Sequence, residues 1–349
     1  MTETANMAAS FAALNTGQGF ISYFREIFDP IETVYVIKGG SGTGKSRLMR
    51  EVASAAKRKG YALEEFLCSS DPSSLDGIII AKLGVAVLDG TAPHIHEPML
   101  IGAREHFLDL SAFLDGSDLK EKKEEISALC AAKSRHYQQI YEYLKVISIY
   151  DNSIHRLALN AFEQEKLEKS VEKSLLYVQK KQKYEKKVRI RSAISADGHI
   201  ILNTYAKKAR KRFALSDVCG VGGIYLERLL EKTDKAEVRV EVSYDPFCPE
   251  RPDALYYPDA GVAFYIGTET DFDETVINMR RFIDDGILRP YKPEIRAIIR
   301  LKNAAMAQMK YNFLSVKRLH NELEAIYSSA MDFSRKESFT KEFIEKIIK

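Results

Sequence analysis

The eight residues Gly39-Gly40-Ser41-Gly42-Thr43-Gly44-Lys45-Ser46 carry the clearest chemistry in the chain. They match G-x-x-x-x-G-K-[ST], the pattern of a phosphate-binding loop. Glycines let successive backbone N–H groups turn inward around a β-phosphate, where side chains would obstruct it. The Lys45 ammonium can reach the β- and γ-phosphates, and the Ser46 hydroxyl can ligate Mg²⁺. Arg47 follows, either as a structural charge or as a further phosphate contact. The expected ligand is ATP with Mg²⁺, because the Asn-Lys-x-Asp sequence that would read guanine does not occur.

Such a loop needs a strand before it and a helix after it, whose N-terminus adds partial positive charge. Thr33-Val34-Tyr35-Val36-Ile37-Lys38 is a β-rich run. Residues 45–59 place Leu48, Val52 and Ala55 at helical spacing, and Gly60 stops the helix. Further strands are expected at 62–68 and 84–89. Continuous apolar strands between helices predict a parallel sheet buried on both faces, with its ligand at the carboxyl ends of the strands.

Asp71 and Asp89 then fall beside the nucleotide. Asp89 ends an apolar strand, the place of a Walker B aspartate that holds Mg²⁺ directly or through water. Asp89-Gly90 reads also as an ordinary strand-end turn. Asp71 can orient or deprotonate an acceptor, or can cap the turn ahead of Pro72. Asp76 has the same standing. His94 and His96 read as a surface-loop pair, with His94 in reach of the phosphate end.

A repeat organises the rest. Gly84-Val85-Ala86-Val87 recurs as Gly261-Val262-Ala263-Phe264, Gly90-Thr91 as Gly267-Thr268, and Asp71-Pro72 as Asp245-Pro246. Gly19-Phe20-Ile21 recurs as Gly198-His199-Ile200, and Glu125-Ile126 as Glu294-Ile295. In the second copy Asp217-Val218-Cys219-Gly220-Val221-Gly222-Gly223 keeps glycines but loses the lysine and the hydroxyl, gains Glu227, and has Ile266 in place of Asp89. It is expected to keep the fold and bind triphosphate poorly.

The predicted architecture is α/β: tandem P-loop NTPase-type parallel sheets flanked by helices, each with an α-helical extension. Residues 1–117 form the first core, 118–187 a helical extension and linker, 188–288 a degenerate pseudo-domain and 289–349 a C-terminal helical extension.

Composition fits this reading. The 349 residues are 45% hydrophobic and 29% charged, an ordinary globular balance, and the net charge of +3 gives no reason to invoke nucleic acid or a membrane. The basic stretches at 180–191 and 207–212 read as solvated helix faces. Cys68, Cys130, Cys219 and Cys248 have no zinc-site spacing and suit a reducing compartment. Residues 77–88 are apolar but broken by Lys82 and too short to span a bilayer. With no basic leader at the start, the expectation is a cytoplasmic protein.

The stretches 37–46, 68–77 and 87–94 resemble a family of bacterial ATPase-like proteins built from two tandem P-loop halves. The resemblance covers nearly the whole chain and implies a P-loop fold and nucleotide binding. The chain departs from it by lacking the second loop.

Two functions follow. One is a Mg²⁺-dependent ATPase or small-molecule phosphotransferase using Lys45, Asp71 and Asp89. Against a strong hydrolase, Gly90 stands after Asp89 where a glutamate base would be expected. The other is an ATP-gated interaction module with little or no hydrolysis.

Overall fold

The computed structural model describes residues 8–92, 97–178, 183–269 and 271–348. In the first half β1 (Ala8–Phe11) precedes the hairpin β2 (Ala13–Thr16) and β3 (Gly19–Ser22) and the short α1 (Phe24–Phe28). Then come β4 (Thr33–Lys38), α2 (Lys45–Arg58), β5 (Glu64–Leu67), β6 (Leu75–Ile80), β7 (Val85–Asp89) and β8 (Glu105–Asp109). Helices α3 (Gly116–Glu121), α4 (Lys123–Leu159) and α5 (Gln164–Leu175) follow.

The second half repeats this order. It runs β9 (Lys186–Val188), β10 (Ser192–Ser195), β11 (Gly198–Ile201), α6 (Thr204–Lys208), β12 (Lys211–Ser216) and α7 (Val221–Lys235). It continues β13 (Val240–Asp245), β14 (Cys248–Tyr257), β15 (Val262–Ile266) and β16 (Thr275–Asn278). It ends in α8 (Asp285–Leu288), α9 (Lys292–Ser329) and α10 (Phe333–Ile347).

The protein is α/β with two six-stranded sheets. Their orders, β1-β5-β6-β7-β4-β8 and β9-β13-β14-β15-β12-β16, are the same order written twice. The expectation of parallel sheets is corrected: both are mixed. β6 runs antiparallel to β5 and β7, and β14 antiparallel to β13 and β15. The apolar run 77–88 is a hairpin, with Lys82 in the turn Ala81–Leu83. A connection that short cannot join parallel strands. The run gave no sign of direction because β6 is buried along its length.

β4 shows why such strands read as unbroken apolar runs. Val34 and Val36 face Phe24, Ile27 and Phe28 on one side; Tyr35 and Ile37 face α2 on the other. Leu48 and Val52 of α2 are fully buried there, each contributing about 1.5–3 kcal/mol.

The strand registers also fix which residues correspond. Gly77 pairs with Leu88 and Ala254 with Tyr265, so Asp76 answers to Asp253. By the same registers Asp245 answers to Cys68 rather than Asp71. Asp71-Pro72 and Asp245-Pro246 are therefore turns at different places.

The helical extensions are exchanged between halves. α5 packs on α7, and α10 on α2. Reciprocal contacts mark each crossover: the Asp115 amide donates to Ala330 and the Asp284 amide to Ala161, both at 2.8 Å. Between them α4 and α9 pair along their lengths. Ile140, Leu144, Ile147 and Ile154 of α4 are buried, as are Met309, Phe313, Val316 and Leu323 of α9, each 169 residues later. Among the described residues no helix is long and apolar enough to cross a membrane.

Candidate functional site

β4 and β7 lie side by side and parallel, with Ile37 opposite Asp89, so the loop after β4 opens beside the end of β7. Lys45 Nζ stands 3.7 Å from Asp89 Oδ2 and donates to the carbonyls of Gly39 (3.0 Å) and Gly40 (2.8 Å). Its ammonium is thus held by main-chain oxygens of the loop itself. Asp89 Oδ1 accepts from the Thr91 amide at 2.8 Å and the Thr91 hydroxyl at 2.5 Å, the turn geometry its sequence allowed. Ser46 Oγ accepts from the Leu75 amide at 3.0 Å. Thr43 Oγ1 donates to Gly40 O at 2.9 Å.

Asp71 caps its own turn, accepting from the hydroxyls of Ser73 (2.8 Å) and Ser74 (3.2 Å). That turn leads directly into Leu75 and so lies beside Ser46. Arg47 points outward, paired with Glu51 at 3.0 Å and Glu337 at 3.2 Å. His94 and His96 lie outside the described residues.

Several residues around the loop were not singled out by sequence reasoning. The end of α9 lies across the loop. A β-carbon on Gly42, whose φ is +73°, would stand 2.6 Å from the Glu324 carbonyl oxygen, and one on Gly40 3.3 Å from the Tyr327 ring. Ser328 Oγ donates to Gly42 O at 3.2 Å, and Ser41 Oγ is 3.4 Å from His320 Nδ1.

Two more lysines converge here. Lys336 of α10 is 1% exposed, its Nζ has no hydrogen-bond partner among the described residues, and that atom lies 3.5 Å from where a β-carbon on Gly44 would stand. Burial holds its pKa below the ordinary lysine value, against the opposing pull of Glu51. Lys133 of α4 is likewise lowered by burial, and the Lys45 charge pushes it further down. Among the described residues Lys133 has no carboxylate partner; its Nζ is 3.3 Å from His320 Nδ1.

The second half serves as an internal control. Six residues join β4 to α2, but only four join β12 to α7. Gly222 and Gly223, expected to continue the loop, lie inside α7. Helix starts and registers set Val221 against Lys45, Gly222 against Ser46 and Ile266 against Asp89. Asp217 takes the place of Gly39, and its carboxylate accepts from the amides of Gly222 (2.6 Å) and Gly220 (3.1 Å). The amide cradle of the second half therefore already holds an anion, supplied by the chain.

The arms differ in the same sense. Lys302, the counterpart of Lys133, is neutralised by Asp151 at 2.6 Å; His320 replaces that aspartate in the first half. Lys336 stands where the other helix has the buried Leu167. The only signal for Lys336 in the sequence was the 169-residue offset, read to the end of the chain.

No family model matches the chain, and no curated protein or solved structure is detectably similar to it.

Proposed function

We propose that the first half binds a nucleoside triphosphate with Mg²⁺, ATP being the expected nucleotide, at residues 39–46, and acts as a P-loop ATPase or small-molecule phosphotransferase. One observation carries this reading. On a shared scaffold, several differences between the halves make the first loop more attractive to a metal-bound polyanion. Lysine replaces valine, a hydroxyl and a carboxylate appear for a metal, the built-in aspartate is gone, and two lysines have no carboxylate within ion-pair distance among the described residues.

The residues fit the group. A buried ammonium at Lys336 lacks a partner that a phosphate would supply. Ser46 and Asp89 offer oxygen ligands of the kind Mg²⁺ takes, with phosphate and water completing the set. When bound, Mg-ATP supplies an activated phosphoryl group. Lys45 would exchange its two carbonyls for phosphate oxygens and stabilise charge developing on them. Asp71 would orient an acceptor hydroxyl or water once it leaves its own serines. Tyr327 and the α9 main chain would exclude water from the loop.

The test is ATP and GTP binding by titration calorimetry, with and without Mg²⁺. ATP affinity should fall at least tenfold in Lys45→Ala; unchanged affinity removes the assignment.

A second reading is favoured by the contact of α9 with the loop: nucleotide binding moves the arms and hydrolysis is slow or absent. Asp71→Ala separates the two. Lost turnover with intact affinity supports the enzyme. No turnover in the parent protein supports the switch.

A further inference from the structure

A cavity of about 770 Å³ lies in the second half, between the degenerate loop and the two long arms. It occupies the carboxyl-end face of the second sheet, where α/β sheets bind ligands. Its size is that of a small-molecule site. It is not a second triphosphate site, because Asp217 fills the amide cradle and Val221 stands for the lysine.

The cavity is nevertheless lined by charged groups. Asp253 is 6% exposed and lines it. Its Oδ2 accepts from Ser192 Oγ at 2.7 Å and lies 3.4 Å from Arg191 Nε; among the described residues neither its Oδ1 nor Arg191 Nε has a hydrogen-bond partner. An acceptor buried and unmet in this way costs stability unless a donor arrives. Two residues earlier on β14, across an irregular stretch of the β13–β14 pairing, stands Arg251, which lines the same cavity. Among the described residues its guanidinium has no carboxylate within 4.0 Å. It reaches over the loop, its Cδ 3.3 Å from where a β-carbon on Gly223 would stand. Asp245 lines the cavity too; burial and then the Asp253 charge push its carboxyl up to about 7. Phe247, Ile295 and Met306 supply an apolar wall.

We infer that this cavity binds a small zwitterion of the amino-acid or short-peptide type. Its carboxylate pairs with Arg251, its ammonium sits on Asp253 Oδ1 beside Asp245, and its apolar body lies against Phe247, Ile295 and Met306. The inference is independent of the nucleotide reading.

It is tested by titration calorimetry on the full chain without nucleotide. The probes are L-leucine, L-phenylalanine and L-leucyl-L-phenylalanine. The half-molecules 4-methylpentanoate and 3-methylbutylamine serve as comparisons. At least one zwitterion should saturate, with both half-molecules at least tenfold weaker. Arg251→Met and Asp253→Asn should each weaken it at least tenfold, and Arg251→Lys, which keeps the charge and the fold, should restore most of the affinity. No saturable zwitterion binding overturns the inference. So does 4-methylpentanoate binding as tightly as the zwitterions, which would mark an anion site.

Discussion

Lys336 is an expensive residue for this fold to keep. Its counterpart Leu167 packs into the second core, whereas the lysine ammonium is buried without a hydrogen bond. Lys336→Met should therefore raise the unfolding free energy by about 1–3 kcal/mol, read from urea denaturation. The same variant should bind ATP more weakly; a variant less stable than the parent would contradict the burial argument. The pH dependence has a defined sign. Burial lowers the folded pKa, so between that value and the ordinary lysine value the unfolded chain binds more protons. The stability of the parent should rise with pH through that window, and the methionine variant should lack this component.

At the scale of elements, the two loops show how one strand-turn-helix unit satisfies its helix N-terminus in two ways. In the second half Asp217 is tied to the amides at the start of α7. Asp217→Ala should cost about 1 kcal/mol of stability, as lost helix caps do. It should not create ATP binding, because Val221, Gly222 and Ile266 remain. In the first half Gly39 stands where Asp217 stands in the second, so that carboxylate is missing from the start of α2, and Gly44 there is left-handed. That leaves the amides of the first turn available to a phosphate.

At the scale of the molecule, each long arm reaches both halves. α9 begins against the second-half cavity with Ile295 and Lys302 and ends on the first loop with Tyr327 and Ser328. At 1.5 Å per residue its 38 residues span about 57 Å. A nucleotide entering the loop must alter the contacts of Glu324, Tyr327 and Ser328. Hydrogen exchange should thus change at 320–330 on adding Mg-ATP. Unchanged exchange there would mean that the nucleotide does not engage the loop beneath α9.

The sequence by itself determined what depends on neighbours along the chain. Glycine spacing with Lys45 and Ser46 singled out a candidate loop between a strand and a helix, apolar periods named β4 and α2, and recurring short strings named the repeat. Tertiary structure alone decided what depends on contacts between distant segments. The direction of β6 follows from a turn hidden in an apolar run. The true partner of Asp245 follows from strand register, which loop insertions obscure. Lys336 reaches the loop only because α10 crosses to the opposite half, and no local pattern of residues encodes which core a helix will cover.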